Sequence, residues 1–123
     1  MKATVVKRVS FDAAHFLPGY RGKCANMHGH HWDIEVGVEG EINPETGMVI
    51  DFGELGELLK LKVVERFDHQ LINDIIENPT AENIAARIKL SWDIWREENC
   101  LPIKLAFIRV WETEDSYAEV RGE

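Results

Sequence analysis

The sequence predicts an α+β fold in which a four-stranded antiparallel sheet carries two helices on one face. Two strand-like segments come first, two segments of helical periodicity follow, and two more strand-like segments come last. Strands that follow one another through short connections pair antiparallel, and helices then cover the apolar face of the sheet. The 123 residues correspond to one domain, 1–123, which is long enough to bury its own core.

The first two strands are predicted near residues 3–14 and 31–41, because apolar side chains recur there at alternate positions. The core-facing residues of the first strand are Val5, Val9, Phe11 and Ala13. Those of the second strand are Trp32, Ile34, Val36 and Val38. Successive side chains of a strand point to opposite faces, so each strand buries one face and exposes the other.

The first helix is predicted from Asp51 to about Phe67. A tight connection at residues 43–47 and a short extended piece at residues 48–50 lead into it. Asp51 and Glu54 resemble a capping box, which satisfies the free backbone N–H groups at a helix start. The apolar stripe of this helix consists of Leu55, Leu58, Leu59 and Val63.

The second helix is predicted to begin after Thr80, the N-cap that follows Asn78 and Pro79. Its apolar face consists of Ile84, Ile88, Trp92 and Trp95. The last two strands are expected near residues 103–112 and 117–121. An open sheet has two edges with unpaired backbone groups, and these invite pairing with neighbouring subunits.

Composition excludes several classes of protein. Hydrophobic residues make up 45% of the chain and charged residues 29%, as in an ordinary globular domain. The net charge of −8 disfavours nucleic acid as a partner. No apolar stretch is long enough to span a membrane and the N-terminus leads directly into a strand, so we expect a soluble, cytoplasmic protein that binds no membrane. Two cysteines, Cys24 and Cys100, are too few for a disulfide framework, and Cys100 is expected to be buried or half-buried.

Three histidines form the most informative pattern in the chain. By strand parity His15, His28 and His30 face the core side of the first two strands, whereas His31 points the other way and is excluded as a ligand. Three imidazoles suit a zinc ion that keeps its fourth position open, which is typical of enzymes. Cys24 lies four residues before His28, one short loop from such a site. The alternative is that each histidine is an ordinary hydrogen-bonded core residue.

Two further places could carry chemistry. Asp68 and His69 follow the first helix, and a carboxylate, an imidazole and a thiol can form a proton-transfer relay. The alternative for this pair is a solvated turn. Glu112 ends the apolar face of the third strand, where its two oxygens could pair with two parallel N–H groups of a heterocycle. Alternatively, this strand-end glutamate reaches solvent.

Six segments of the chain carry a resemblance to a known family. They are Ser10-Phe11-Asp12-Ala13-Ala14-His15, Cys24-x-x-x-His28-Gly29-His30, Gly47-Met48-Val49-Ile50-Asp51-Phe52, Phe67-Asp68-His69-Gln70-Leu71-Ile72-Asn73, Asn78-Pro79-Thr80-Ala81-Glu82-Asn83 and Trp111-Glu112-Thr113. In this order they resemble the 6-pyruvoyl tetrahydropterin synthase family over nearly the whole chain. The three residues between Cys24 and His28 resemble the spacing in its 6-carboxy-5,6,7,8-tetrahydropterin synthases of the queuosine pathway. An aldolase-like branch with glutamate in place of the cysteine is disfavoured because Cys24 is present.

The resemblance implies a set of site residues. Zn²⁺ would be bound by His15, His28 and His30. The catalytic proton-transfer groups would be Cys24, Asp68 and His69. Glu112 would bind the pterin ring, and Thr80 and Glu82 would line its pocket. The alternative for Thr80 and Glu82 is that they only cap the second helix and match its dipole. Ala81 departs from relatives that carry a hydroxyl at this position.

The resemblance also implies an assembly and a reaction. The assembly is the tunnelling fold, a homo-oligomer built from trimers and expected to be a hexamer, whose subunits join their sheets into a barrel and form active sites at interfaces. The reaction is a zinc-dependent lyase reaction that converts 7,8-dihydroneopterin triphosphate to 6-carboxy-5,6,7,8-tetrahydropterin with release of acetaldehyde and triphosphate. Arg21 and Lys23 are the candidates for binding the triphosphate. The alternatives are a 6-pyruvoyl tetrahydropterin synthase, or a non-catalytic zinc-stabilised pterin-binding protein in which Cys24 is a fourth metal ligand.

Overall fold

The structure, a computed structural model, describes residues 1–122 and contains one four-stranded sheet with strand order β1-β2-β3-β4. The strands are β1 Lys2–His15, β2 His28–Glu41, β3 Lys104–Thr113 and β4 Ser116–Arg121. All neighbouring strands pair antiparallel, which confirms the predicted α+β class and the strand count. The second strand begins at His28, earlier than the predicted residue 31, so it already contains His28 and His30.

The pairing of β1 with β2 brings three histidines to one end of the sheet. His15, the last residue of β1, is opposite His28, the first residue of β2, and His30 is opposite Ala13. Residues two apart in a strand share a face, so His28 and His30 lie on the same side of the sheet as the core. The predicted convergence of the three side chains therefore follows from strand register.

The first helical segment consists of three consecutive elements. They are α1 Phe52–Leu59, a π-helical turn Lys60–Val64 and α2 Glu65–Phe67. The Asp51 carboxylate caps the start by accepting the N–H groups of Gly53 and Glu54, as predicted. The segment ends at Phe67 as predicted, but the π-helical turn was not foreseen from the sequence.

The extended piece predicted at residues 48–50 is wrong, because the structure forms a bend there and no strand. The backbone groups of Met48 are used within the preceding turn. Its carbonyl accepts the N–H of Asn43 and its N–H donates to the hydroxyl of Thr46. These bonds replace the ladder that a strand would need, so the chain turns directly into the α1 cap.

The second predicted helix is α3, Ala81–Asn99, and it covers the same face of the sheet. Thr80 is its N-cap as predicted, with the hydroxyl oxygen accepting the N–H of Asn83 at 3.1 Å. Cys100 follows the helix with a left-handed backbone, at φ 50°, and its side chain is exposed. The expectation that Cys100 is at least half-buried is wrong, since the helix ends there and turns the residue outward.

The core lies between the helices and one face of the sheet, and a histidine adjoins it. Fully buried side chains from both layers include Trp32, Ile34, Leu55, Phe67, Ile84 and Ile108. Among the described residues, His15 is the one buried polar side chain, with 1% of its surface exposed. No helix within residues 1–122 is both long and apolar enough to cross a membrane.

Candidate metal centre and adjoining cavity

Four side chains converge where β1 ends and β2 begins. His15, His28, His30 and Glu112 offer ligand atoms that all lie within 4.8 Å of one another. The Nε2 atoms of His15 and His28 are 3.1 Å apart. Glu112 Oε1 lies 3.1 Å from His15 Nε2 and 3.5 Å from His30 Nε2. The three predicted histidines are therefore together, and the glutamate predicted to hold the substrate is beside them.

The outward ring nitrogens of two histidines are fixed by backbone carbonyls. His15 Nδ1 lies 2.8 Å from the carbonyl oxygen of Pro79, and His28 Nδ1 lies 2.7 Å from that of Asn26. A carbonyl oxygen only accepts hydrogen bonds, so both Nδ1 atoms must carry the proton. In the neutral rings each Nε2 then presents a lone pair to the centre of the cluster. This is the carbonyl-oriented arrangement that metal-binding histidines commonly have.

This donor set fits a metal ion. Two Nε2 lone pairs 3.1 Å apart, with a carboxylate oxygen beside them, repel one another unless a proton or a metal ion lies between them. Burial lowers the pKa of His30 from its ordinary value, an effect opposed by Glu112 and reinforced by His28 and His15. The neutral imidazole that a lower pKa favours is the form that binds metals. Three imidazoles with an oxygen or water in a fourth position are typical ligands of zinc.

The histidine cluster packs against an aromatic ring of the core, and the fourth histidine of this region lies on the opposite face of the sheet. The Trp32 ring packs edge-on against the rings of His15 and His30, with centroids 4.9 and 5.4 Å apart. His31 lies on the opposite face of the sheet, where its Nδ1 is 2.8 Å from Asp12 Oδ1 and its side chain is 59% exposed. The predicted orientation of His31, away from the three other histidines, is confirmed.

A cavity of about 400 Å³ adjoins the cluster and is lined by four of the predicted site residues. These residues are Cys24, Thr80, Glu82 and Glu112. The remaining wall is formed by Leu17, Pro18, Gly19, Tyr20, Asn78 and Ala81. Glu112 belongs both to this wall and to the histidine cluster, so its carboxylate links the cavity to the candidate metal centre.

The loop between β1 and β2 holds Cys24 at this cavity. Pro18 and Gly19 form a tight turn in which Gly19 has φ 73° and the N–H of Tyr20 donates to the carbonyl of Leu17. The N–H of Leu17 donates to the Cys24 carbonyl at 2.7 Å, which closes the loop at its base. Cys24 itself lies in a short 3-10 turn, Lys23–Ala25, and is half-buried.

Asp68 and His69 form an ion pair away from this cavity. Asp68 Oδ2 is 2.9 Å from His69 Nδ1, and Asp68 Oδ1 accepts the N–H of Asp12. The Asp68 hydrogen bond raises the pKa of His69, while the Asp12 N–H and then His69 lower the pKa of Asp68. The pair lies along the edge of β1 that β2 leaves free, and the His69 side chain is 81% exposed. Neither residue lines the cavity that contains Cys24.

Two other results concern residues outside the cavity wall, namely Arg21 with Lys23, and Asn73. Arg21 and Lys23, the candidates for binding the triphosphate, do not line it. The sequence patterns assign no role to Asn73, yet its side chain bonds to both the N–H and the carbonyl of Phe16, at 3.0 and 2.9 Å. The one signal for Asn73 was its place at the end of the Asp68-His69 segment that carries the family resemblance.

Comparison with known proteins gives one family. The 6-pyruvoyl tetrahydropterin synthase family profile matches residues 4–123. An Archaeoglobus fulgidus protein provisionally named 6-carboxy-5,6,7,8-tetrahydropterin synthase is 42% identical over 91% of this chain and 90% of its own. The 6-carboxy-5,6,7,8-tetrahydropterin synthase of Rickettsia typhi is 32% identical, with 93% and 96% covered. The dihydroneopterin monophosphate aldolase of Pyrococcus furiosus is 38% identical over 98% of both chains. The 6-pyruvoyl tetrahydropterin synthase structure from Caenorhabditis elegans superposes with a TM-score of 0.85 at 26% identity, covering 100% of this chain and 97% of that one.

Proposed function

The chain belongs to the 6-pyruvoyl tetrahydropterin synthase family, and on this premise we propose that it is a zinc-dependent 6-carboxy-5,6,7,8-tetrahydropterin synthase. It would convert 7,8-dihydroneopterin triphosphate and water to 6-carboxy-5,6,7,8-tetrahydropterin, acetaldehyde and triphosphate, in the cytoplasmic synthesis of queuosine. The observation that carries the proposal is the cavity that Cys24 and Glu112 line together, with Glu112 also a member of the cluster of three histidines.

Glu112 would hold the pterin by its amino-pyrimidinone edge. Two adjacent N–H groups of that edge match the two oxygens of a carboxylate, and such charge-assisted pairs are stronger than neutral hydrogen bonds. The Glu112 side chain is 32% exposed and lines the cavity, so it can turn from the histidines toward a ligand. Thr80 and Glu82 would complete this wall from the first turn of α3.

Cys24 would be the base that removes a proton from the substrate side chain. A half-buried thiol on a loop closed by the Leu17 hydrogen bond is held against the cavity, and proton transfer requires such positioning. When bound at the three histidines, zinc would polarise the substrate hydroxyl groups and stabilise the negative charge that develops on them. The dihydropterin ring imine can accept the electrons released, so no external hydride donor is needed.

Asp68 and His69 would serve this reaction across a subunit interface. Within one chain the pair lies outside the Cys24 cavity, whereas the exposed His69 ring is accessible to a second copy. The segment that carries the pair is bonded to β1 at Asp12 and Ala14, so the part of this β1 edge that is open to another subunit lies earlier in the strand. The sheet leaves one edge of β1 and one edge of β4 without a strand neighbour. Joining such edges between subunits would give the homo-oligomeric barrel and bring the Asp68–His69 pair of one subunit to the cavity of another.

Two other reactions use the same site. A 6-pyruvoyl tetrahydropterin synthase would eliminate triphosphate without breaking a carbon–carbon bond. The Pyrococcus furiosus relative favours a second candidate, an aldolase that cleaves the side chain of dihydroneopterin monophosphate. Both would employ the cluster of His15, His28 and His30, so product identity separates them from the main proposal.

Incubation of the zinc-loaded protein with 7,8-dihydroneopterin triphosphate, followed by mass analysis, tests the proposal. Equal amounts of 6-carboxytetrahydropterin and acetaldehyde are expected. A pyruvoyl product without acetaldehyde supports the first alternative. Cleavage of dihydroneopterin monophosphate in a parallel incubation, with no action on the triphosphate, supports the aldolase. The matched controls are Cys24→Ala, which should be inactive, and Cys100→Ala, which changes an exposed thiol outside the cavity and should be as active as the unaltered protein.

A further inference from the structure

We propose that Asn73 is a positioning residue that holds the Cys24 loop against the metal centre. Its side-chain oxygen accepts the N–H of Phe16 at 3.0 Å, and its side-chain amide donates to the Phe16 carbonyl at 2.9 Å. Both hydrogen bonds are partly buried and join segments 57 positions apart in the chain. Phe16 immediately follows His15, so this contact fixes the backbone where the metal-binding strand becomes the loop.

An asparagine is suited to this contact because one side chain offers both a donor and an acceptor. Removal of the side chain would leave two backbone groups of Phe16 without these partners, and unpaired groups that are partly buried are costly. Asn73 is itself held in place. It belongs to the 3-10 turn Ile72–Asp74, in which Ile72 is fully buried, and the preceding Leu71 bridges to Ala14 of β1.

The contact of Asn73 with Phe16 is connected to Cys24 through the neighbouring residue Leu17. Phe16 is followed by Leu17, whose N–H donates to the Cys24 carbonyl at 2.7 Å. A loop released at Phe16 loses the geometry of this bond and with it the position of the thiol. Asn73 also lies four residues after His69, so the same residue joins the Asp68–His69 segment to the loop that carries Cys24.

His15 does not depend on this clamp to the same degree. Its Nδ1 bonds to Pro79 and its ring packs against Trp32. Loss of the Asn73 side chain should therefore leave the metal in place while the thiol is displaced. Small displacements of a catalytic group lower kcat strongly without a matching change in substrate binding.

The test compares Asn73→Ala with Asn43→Ala in the full chain. The Asn43 side chain also bonds backbone N–H groups, those of Glu45 and Thr46, in the turn after β2, at the far end of that strand from His28. Zinc content, amide hydrogen exchange at Leu17, and kcat and KM for dihydroneopterin triphosphate would be measured. If Asn73→Ala does not fold, Asn73→Asp retains the acceptor for the Phe16 N–H and serves for the same measurements.

We expect unchanged zinc content, exchange at the Leu17 amide about tenfold faster, and kcat about 100-fold lower with KM nearly constant. Asn43→Ala should change none of these. Unchanged exchange at Leu17, or a kcat no lower than that of Asn43→Ala, would overturn the proposal. The kcat measurement rests on the proposed function, whereas the exchange measurement does not. An unaltered protein that fails to act on the pterin would thus count against that function, and the Leu17 amide would still decide the role of Asn73.

Discussion

The Nδ1 atom of His15 lies 2.8 Å from the carbonyl oxygen of Pro79, and this contact ties the histidine cluster to the start of α3. Pro79 precedes Thr80, the N-cap of that helix. One hydrogen bond therefore fixes the ring orientation of a candidate ligand and the entry of the helix whose first turn lines the cavity. The candidate metal site and the cavity wall are therefore positioned by the same backbone group.

Replacement of His28 or His30 with alanine should remove most of the bound zinc and abolish turnover, while the subunit still folds. Both side chains are at the rim of the cluster and not in the helix-packed core, so their loss removes ligands without opening a large cavity. His31→Ala is the matched control, because His31 is in the same strand on the opposite face. Atomic emission measures the zinc content of each variant. Full zinc occupancy in the His28 and His30 variants would contradict their assignment as ligands.

Replacement of Cys24 with alanine should retain zinc and pterin binding but lower kcat by several orders of magnitude. The thiol lies at the cavity wall and outside the group of converging ligand atoms, so its removal should delete the proposed base and not a metal ligand. Zinc content and calorimetric pterin binding would be measured with kcat. If zinc is lost together with activity, Cys24 is a fourth ligand and the non-catalytic alternative gains support.

Strand parity made the histidine cluster predictable. The alternation of Trp32, Ile34 and Val36 assigns His28 and His30 to the core face by a rule that holds within a single strand. The helix caps at Asp51 and Thr80 were predictable for the same reason, since a cap depends on neighbours two or three residues away. Features determined by local geometry could thus be read from the sequence.

The position of Glu112 relative to the histidines could not be read in this way. It depends on how β3 aligns with β2 and on a register irregularity between Trp111 and Thr113, and neither has a local signature. The Asn73 contact with Phe16 is invisible for a similar reason, because it joins positions far apart through tertiary packing. The periodicity of apolar residues specifies which face of a strand or helix a side chain occupies. It does not determine the distance between segments that are far apart in the chain.

Replacement of Asp68 with asparagine should lower the pKa of His69 toward its ordinary value of 6.5. The Asp68 hydrogen bond and charge raise that pKa in the folded protein, and asparagine removes the charge while keeping an acceptor for the Asp12 N–H. NMR titration of the His69 ring measures the shift. Equal titration midpoints in the variant and the unaltered protein would show that the pair is not formed in solution.

The same pair should influence stability in two pH ranges. Because the folded pKa of His69 is raised, its contribution is fully present below pH 6.5 and is lost as pH rises through the raised value. The Asp68 pKa is lowered, so its contribution is present above pH 3.8 and is lost as pH falls through the lowered value. In denaturant unfolding, the stability difference between Asp68→Asn and the unaltered protein should therefore be largest between pH 3.8 and 6.5. It should shrink in part as pH rises through the His69 pKa, while the bond from the Asp12 N–H to the carboxylate persists, and it should shrink again as pH falls through the Asp68 pKa.

Replacement of Thr80 with alanine should lower the free energy of unfolding by about 1 kcal/mol, while Thr80→Ser should be nearly neutral. The reason is the hydrogen bond from the Asn83 N–H to the Thr80 hydroxyl at 3.1 Å, which serine can keep. Urea denaturation measures the difference. Pterin affinity of the two variants adds a second readout, because a hydroxyl that also contacts substrate would weaken binding in Thr80→Ala and not in Thr80→Ser.

Replacement of Glu112 with glutamine distinguishes a substrate anchor from a metal ligand. Glu112 lines the cavity and also lies 3.1 Å from His15 Nε2, so the geometry of one chain is compatible with either role. If three histidines bind the metal and the carboxylate binds the pterin, zinc content should not change. The binding free energy of a non-reactive pterin should weaken by roughly 2 to 4 kcal/mol. Glutamine loses the charged hydrogen bonds of the carboxylate, and its side-chain NH2 group would face an N–H donor of the pterin. Calorimetry and metal analysis are decisive together: unaltered pterin affinity with weakened zinc binding would make Glu112 a fourth ligand.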